Sequence, residues 1–230
     1  MGMPECQLHF VGVDLAWGMD PAPLSTGFCV LDGTGRIVDW RCLTSDSEVI
    51  ENIVVNIPGW VGIDASLFVP NRGGMRAVEK LLRARGIKVL PTSQAFLDRH
   101  CGGSRGEAVV AGLAPSGFSL EKGTMPVFET FPRAILHAAL GKKMPRYKTG
   151  PREVRTSGCE AIATLLETAF PHLGEVVHRL PADPRQAADM IDALACAICV
   201  YAHWRYAGER TTLLHGEDGT HVLLLREDHV

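Results

Sequence analysis

The sequence lacks the features that would place this protein in or across a membrane. No run of apolar residues reaches the roughly 18 residues that a membrane span needs. The first residues, MGMPECQ, do not show the basic and then apolar order of a signal peptide. We therefore expect a cytoplasmic protein with no membrane partner.

Cysteine is present, but not in the patterns of a disulfide framework or a zinc site. The seven cysteines are odd in number and scattered, which is typical of reduced thiols. Cys196 and Cys199 are close together, but no second pair stands at the spacing of a zinc site. The sequence Lys122-Gly123-Thr124 lacks the preceding glycine of a phosphate-binding loop. Neither motif therefore accounts for a function.

The chain also lacks the net positive charge of many nucleic-acid-binding proteins. Its formal net charge at pH 7 is −3. Residues 142–155 nevertheless contain six basic residues and one acidic residue, a local charge of +5 that leaves −8 on the rest. The basic charge is concentrated in one segment, and this segment predicts an anionic partner.

Internal repeats and low-complexity tracts are absent as well. At 230 residues and 46% hydrophobic, the chain is long enough to bury a substantial core. We expect a single domain over residues 1–230, with a C-terminal extension from about residue 209.

Hydrophobic periodicity and turn residues predict a mixed α/β order. An antiparallel meander of three strands opens the chain, with Asp32-Gly33-Thr34-Gly35 as the turn between the second and third strands. The Gly-rich and Ser-rich residues 92–124 predict a loop with one or two short helices. Strands are predicted over residues 8–14, 26–31, 36–43, 60–65, 87–90 and 127–130. Helices are predicted from about residue 46 and over residues 73–85, 133–140 and 153–169.

The final helix has the clearest start signal in the sequence. Asp183-Pro184-Arg185-Gln186 places an N-cap acid, a proline at the first helical position and a capping-box glutamine in order. Gly208 is a natural end for this helix. The remaining residues, 211–225, predict a small terminal hairpin.

Four acidic residues stand where these elements end or begin. Asp14 and Asp64 each end a short apolar run, and Asp189 and Asp192 lie one turn apart on the final helix. Carboxylates are costly to bury, so the simplest common purpose is a divalent cation such as Mg²⁺ or Mn²⁺. Two such metals, roughly 3.5–4 Å apart and bridging a phosphate, would need about this many ligands.

Each acid also has an ordinary structural explanation. Asp14 or Asp64 alone would be a turn or cap residue closing a strand, and Asp189 alone would be a favourable acid near a helix start. From position alone, the metal site and the structural role both stay open.

Several segments carry a resemblance to a known family. VGVDLAWG, STGFCVLDG, GIDASLFVPNRGGMRAVE, FETFPRA, YK and ADMIDALACAICVYAH occur in this order between residue 11 and about residue 203. Together they resemble the domain of unknown function 429 family, predicted nucleases of ribonuclease-H-like fold. The last segment also resembles the final helix of RuvC-type Holliday-junction resolvases. The chain departs from the family pattern at Ser66, where proline is usual, and this changes a turn rather than a ligand.

The resemblance implies an α/β fold with a ribonuclease-H-like mixed sheet, in which the antiparallel β1-β2-β3 is followed by parallel strands and helices cover both faces. It implies a nuclease with a carboxylate-bound two-metal site and nucleic acid as partner. Asp14 becomes the first-strand acid, Asp64 the fourth-strand acid, and Asp189 with Asp192 the helical pair. Glu129 is added as a further ligand or a neighbouring group, although an edge-strand acid facing solvent fits it equally. Resolvases are often dimers, so a homodimer is open.

Basic residues near these acids are the candidates for substrate binding. The chosen residues are Arg72, Arg76, Lys148, Tyr147 and Arg152, with Lys142, Lys143 and Arg146 in the same basic segment. Lys148 would contact phosphate and Tyr147 would stack on a base. A solvated basic loop, and an ion pair between Arg76 and Glu79, are the structural alternatives.

Three functions are compatible with the sequence. The first is a metal-dependent nuclease. The second is a phosphotransferase of the sugar-kinase and actin type, which shares the strand order but normally needs two copies of the fold. The third is a binding module of the same fold without turnover, whose +5 segment would serve an acidic partner.

Overall fold

The computed structural model describes residues 8–16, 25–56, 59–141 and 144–226. Lys142 and Lys143 of the basic segment lie outside the described residues. The strands are β1 (His9–Asp14), β2 (Thr26–Asp32), β3 (Ile37–Leu43), β4 (Trp60–Asp64), β5 (Phe118–Leu120), β6 (Met125–Glu129), β7 (Thr211–His215) and β8 (His221–Leu225). The helices are α1 (Asp46–Asn56), α2 (Ala77–Ala84), α3 (Gln94–Cys101), α4 (Arg105–Leu113), α5 (Pro132–Leu140), α6 (Arg152–Ala169) and α7 (Pro184–Arg205).

Six strands form one mixed sheet in the order β3-β2-β1-β4-β6-β5. β1, β2 and β3 pair antiparallel, whereas β4 pairs parallel to β1, and β6 pairs parallel to β4 and β5. This arrangement confirms the predicted ribonuclease-H-like fold class. The register places Asp14 directly beside Asp64, because each residue is the last of its strand and the two strands run parallel.

The sheet is covered on both faces, so its central strands are apolar throughout. Phe10 points to the core formed with α5, α6 and α7, while Val11 and Val13 point to the core formed with α1 and α4. Alternate side chains of a strand face opposite sides, which explains this division. The edge strand β3 instead mixes buried with exposed and half-buried residues. The two-sided core holds the ends of β1 and β4 in fixed positions.

Helix α7 lies unusually close to the sheet because glycines face it. A β-carbon at Gly12 would overlap the carbonyl oxygen of Ala193, and one at Gly27 would overlap the carbonyl oxygen of Asp189. Glycine is the residue that permits such a close backbone approach. The contact brings the first half of α7, with its two acids, against β1 and β2.

The N-terminus of α7 has the predicted cap. The Asp183 carboxylate accepts a hydrogen bond from the Arg185 backbone N–H at 3.1 Å, and Pro184 occupies the first turn. By length and composition α7 is apolar enough to cross a membrane, but 83% of the qualifying window is buried inside the fold. Asp189 and Asp192 interrupt its apolar residues, and the burial identifies α7 as a core helix.

The structure differs from the sequence prediction around β5. Residues 87–90 do not form a strand; Ile87 and Val89 instead pack against α2 and the terminal hairpin. The sheet edge next to β6 is taken by β5, a strand of three residues within the predicted loop. That loop also contains α3 and α4, whose N-termini are capped by Ser93 and Ser104. Short strands of this kind leave almost no periodic signal in a sequence.

The terminal hairpin β7-β8 forms as predicted and is attached to the core. The Asp218 carboxylate accepts from the Ala77 N–H at 2.7 Å, and Thr220 Oγ1 accepts from the Val78 N–H at 3.1 Å. Residues at the tip of the hairpin therefore satisfy the free N–H groups at the start of α2. The hairpin and α2 form one wall beside the end of β6.

Candidate metal centre

Three of the four predicted acids meet at the C-terminal ends of the neighbouring strands β1 and β4. Asp14, Asp64 and Asp192 each offer one carboxylate oxygen, and these oxygens lie within 4.8 Å of one another. We call these three residues the carboxylate trio. Asp14 and Asp192 are buried, and Asp64 is half-buried. Residues from two neighbouring strands and the helix crossing them therefore converge on one point.

Within the described part of the chain, the ammonium group of Lys148 is the one that contacts the trio. Its Nζ lies 3.3 Å from Asp14 Oδ2 and also pairs with Asp192 Oδ2. The side chain is 42% exposed, so it reaches the trio from solvent rather than from the core. The predicted contact of Lys148 with a phosphate is untested, but its position beside the acids is now established.

Burial dominates the protonation of the trio. It raises the pKa of Asp14 well above its ordinary value, against the opposing charge of Lys148. Burial and then the charge of Asp192 raise the pKa of Asp64 to about 7. Asp14 is close enough to share a hydrogen bond with Asp64. The single ammonium of Lys148 therefore does not offset the effect of burial on the pKa values of Asp14 and Asp64.

Asp189 lies beside the trio without joining it. Its carboxyl group is outside the set of oxygens within 4.8 Å and is half-buried. Burial raises its pKa, opposed by the Ser25 side chain and by Lys148. Its role as a metal ligand stays a prediction. In the structure Asp189 is an acid that neighbours the trio.

Tyr147 is held under the trio rather than exposed for stacking. The ring is buried, and its hydroxyl donates to Asp192 Oδ1 at 2.7 Å. Burial and the Asp192 charge raise the pKa of this hydroxyl well above 10. In this position Tyr147 orients Asp192 and leaves no face free for a base, so the structure does not favour the predicted stacking.

The backbone around Tyr147 is fixed by α6. A β-carbon at Gly158 would overlap the carbonyl oxygen of Arg146, so this glycine allows the segment to lie against the helix. The Cys159 thiol points to the carbonyl oxygen of Tyr147 at 4.0 Å. No pattern in the sequence predicts this contact, which sets the position of Lys148 one residue later.

Glu129 and Arg76 belong to a second buried cluster one strand away. Arg76 Nη2 and Nη1 donate to the two oxygens of Glu129 at 2.6 and 2.8 Å, and Nε donates to Glu79 at 2.9 Å. Glu129 also accepts from the Leu67 N–H at 3.0 Å. The predicted phosphate contact of Arg76 finds no support here, since its guanidinium is buried and saturated. Glu129 is a buried neighbour of Asp64 rather than a member of the trio.

The other predicted basic residues lie apart from the trio. Arg72 is exposed, and its carbonyl oxygen caps α3 through the Ala95 N–H. Arg152 donates to the carbonyl oxygen of Ala182 at 3.2 Å. Arg146 is exposed and lines the cavity described next. Of the predicted substrate-binding residues, the structure brings Lys148 and Tyr147 to the acids.

A cavity of about 480 Å³ opens directly from the trio. Its size is that of a small-molecule or nucleotide site. Asp64 and Asp192 of the trio line it, together with the exposed cations Lys88, Arg133 and Arg146. Lys88 and Arg133 were missed in the sequence, because each is a single basic residue after a helix end or a strand end. Their proximity to the acids depends on tertiary structure.

The residues present suit a hard divalent cation. Three carboxylate oxygens are close enough to share one ion, and oxygen is the donor that Mg²⁺ and Mn²⁺ prefer. The elevated pKa values of Asp14 and Asp64 show that the trio lacks positive charge. A bound cation would supply it.

Comparison with known proteins gives a similar solved structure and a matching family. T. thermophilus RuvC, solved in complex with a Holliday junction substrate, is 15% identical with a TM-score of 0.44, and the match covers 88% of this chain and 97% of that chain. No curated protein matches the sequence. A family described as protein of unknown function (DUF429) matches residues 12–218, a span that contains the carboxylate trio, Lys148 and Tyr147. Because that match covers most of the chain, the protein belongs to the DUF429 family.

Proposed function

We propose that this protein is a metal-dependent nuclease that hydrolyses phosphodiester bonds with Mg²⁺ or Mn²⁺. The observation that carries the proposal is the convergence of Asp14, Asp64 and Asp192, with Lys148, beside a cavity that is also lined by exposed cations. Acids alone would repel a phosphodiester. A metal at the acids and the cations of the cavity would attract one.

The trio would hold the ion, and Asp189 is the nearest further acid. A bound divalent cation would supply the positive charge that polarises a phosphodiester and makes water a better nucleophile. Phosphoryl transfer asks mainly for positioning and charge neutralisation, which fixed side chains can provide.

The chain's own residues then have distinct tasks. Asp14 and Asp64 are set by the register of β1 and β4, so their carboxylates cannot move apart. Tyr147 holds Asp192 by a hydrogen bond. Lys148 contacts two of the acids from the solvent side, where it can turn to a phosphate oxygen of a bound substrate.

A cleavage assay tests the proposal. The parent is incubated with Mn²⁺ or Mg²⁺ and a panel of single-stranded, duplex, RNA–DNA hybrid and branched substrates. We expect cleavage of at least one substrate that stops with EDTA. Asp14→Asn and Asp192→Asn should each lower the rate at least about a hundredfold, because each removes a ligand of the charge-stabilising ion.

The matched control is Asp98→Asn. Asp98 is an exposed acid on α3 outside the cavity, so its variant should cleave like the parent. A parent inert on every substrate would refute the nuclease and favour the binding module. Nucleotide binding with phosphate transfer and no cleavage would favour the phosphotransferase. The cytoplasmic location and the homodimer stay predictions.

A further inference from the structure

A second cavity adjoins the one that opens from the carboxylate trio. Its volume is about 720 Å³, and it lies between the end of α2, the outer face of α5 and the terminal hairpin. Lys88, Arg133 and His137 line both cavities. The two spaces therefore share a wall, and a ligand can pass from one to the other along these side chains.

The charge of the second cavity is one-sided. Its lining contains Arg85, Lys88, Arg133 and His137, and no acidic residue among those that the structure describes. The chain as a whole carries a net charge of −3, so a basic cavity without acidic residues has the opposite charge to the chain. Such a concentration of cations raises the local concentration of anionic ligands.

The cations are available for a ligand. Lys88 and Arg133 are exposed, and within the described ranges neither forms an ion pair with a carboxylate. Arg76 shows the contrast, since its guanidinium is buried between two glutamates. A structural role would normally give a basic side chain such a partner.

Apolar side chains line the two cavities beside the cations. Ala134 and Ala138 of α5 are half-buried in the second cavity, whereas its Leu214, Leu224 and Leu225 are almost fully buried. Leu90, which lines the first cavity, is 68% exposed. Exposed cations beside an exposed leucine suit a strand whose phosphates meet the basic side chains while an unpaired base covers the aliphatic surface. A duplex keeps its bases inside and cannot make that apolar contact.

We propose that the two cavities form one basic groove, defined by Arg85, Lys88, Arg133 and His137, that binds the backbone of single-stranded nucleic acid and leads it to the carboxylate trio. The inference deepens the proposed nuclease function by naming its substrate class and binding path. The groove needs no metal, so binding and cleavage can be separated.

Fluorescence anisotropy in EDTA tests the groove. Labelled single-stranded DNA and RNA of about 15 nucleotides are titrated with the full chain, beside a duplex of the same sequence. The double variant K88Q/R133Q should bind single strands at least about tenfold more weakly. The slope of log K against log salt should become less negative by about 1.4, because two phosphate contacts at about 0.7 each are lost.

The matched control is R99Q/K122Q. It has the same net charge, and both residues are exposed and outside the groove, so its affinity should stay within about twofold of the parent. An equal loss of single-strand affinity in both double variants, or no loss of affinity in K88Q/R133Q, would refute the proposed groove. Equally tight duplex binding would overturn the commitment to single strands.

The failure of this inference can be told apart from failure of the nuclease. Groove-dependent binding by a parent that cleaves nothing would support the groove and refute the nuclease. Cleavage at subsaturating single strand that is equal in the parent and K88Q/R133Q would support the nuclease and refute the groove.

Discussion

Two buried acidic clusters lie side by side in this molecule, and their carboxylates differ in how many hydrogen-bond and ion-pair partners they have. Glu79 and Glu129 share Arg76, whose donors reach both, and they also accept backbone N–H groups from Thr92 and Leu67. The carboxylate trio has one ammonium, on a side chain that is 42% exposed. Buried charges normally find partners, so we interpret the complete cluster as structural and the incomplete one as the candidate site of a cation.

The first prediction separates the two clusters by their cations. Arg76→Met leaves two buried glutamates without their shared partner, so the free energy of unfolding should fall by about 3–5 kcal/mol. Lys148→Met should lower it by less than about 1 kcal/mol, because its partners can bind a proton and the side chain is partly exposed. Urea unfolding measures both. Equal losses would contradict the division into a structural and a functional cluster.

The second prediction concerns metal and pH. Without metal, the raised pKa of Asp64 means that the folded state keeps a proton which the unfolded state loses near pH 3.8. Its contribution to stability is therefore full below pH 3.8 and lost as pH rises to about 7. Mn²⁺ competes with that proton, so its affinity should rise as pH increases through about 7. At 100 times Kd, Mn²⁺ should stabilise the fold by about 2.7 kcal/mol.

The check is a series of thermal unfolding scans with and without Mn²⁺ between pH 5 and 8. Other groups also change the stability in this range, among them His221, whose pKa burial lowers to about 4 from the 6.5 expected in the unfolded chain. The difference between the parent and Asp64→Asn removes their contribution. A stabilisation by Mn²⁺ that is the same at pH 5 and pH 8, or unchanged in Asp64→Asn, would place the ion elsewhere.

The positions of Asp14 and Asp64 could be predicted from the sequence, because each closes an apolar run and parallel strands end at a common edge. The capped start of α7 likewise fixed the face that carries Asp189 and Asp192. The ion pair of Arg76 with Glu79 was an alternative open from their spacing, and the structure contains it. The long-range partners of the acids could not be predicted. Arg76 and Glu129 are 53 positions apart, and Tyr147 and Asp192 are 45 apart, so only the packed fold brings them together.

Residues 87–90 show the same limit in the fold. Their apolar composition fits a strand, but a strand also needs a neighbour with free backbone groups. β5 takes the place beside β6, and the short apolar segment packs on the terminal hairpin instead. Local pattern identified an apolar segment, and tertiary competition decided its structure.

The third prediction tests how the helix places its acids. Gly27→Ala puts a methyl group into the carbonyl oxygen of Asp189, so α7 must shift away from β2. We expect a loss of about 1–3 kcal/mol in the free energy of unfolding and weaker Mn²⁺ binding. Gly73→Ala is the control, since nothing lies within 4 Å of its added β-carbon. Unchanged Mn²⁺ affinity in Gly27→Ala would show that helix placement does not set the site.

The smallest expected effect concerns Tyr147. Tyr147→Phe removes the hydrogen bond to Asp192 and should cost about 0.5–1.5 kcal/mol of stability. Residues that orient a metal ligand increase the affinity of the site for the metal, so the Mn²⁺ affinity should fall about tenfold. Tyr206→Phe, at a half-buried ring away from the trio, is the control. A loss of stability without a loss of Mn²⁺ affinity would reduce Tyr147 to a packing residue.

The most direct test of the central claim is a calorimetric titration of Mn²⁺ into the full chain at pH 7.5. The parent should bind Mn²⁺ with an affinity that Asp14→Asn and Asp192→Asn each lower at least about tenfold, while Asp98→Asn leaves it unchanged. Binding that is absent from the parent, or that survives unchanged in both trio variants, would contradict the account.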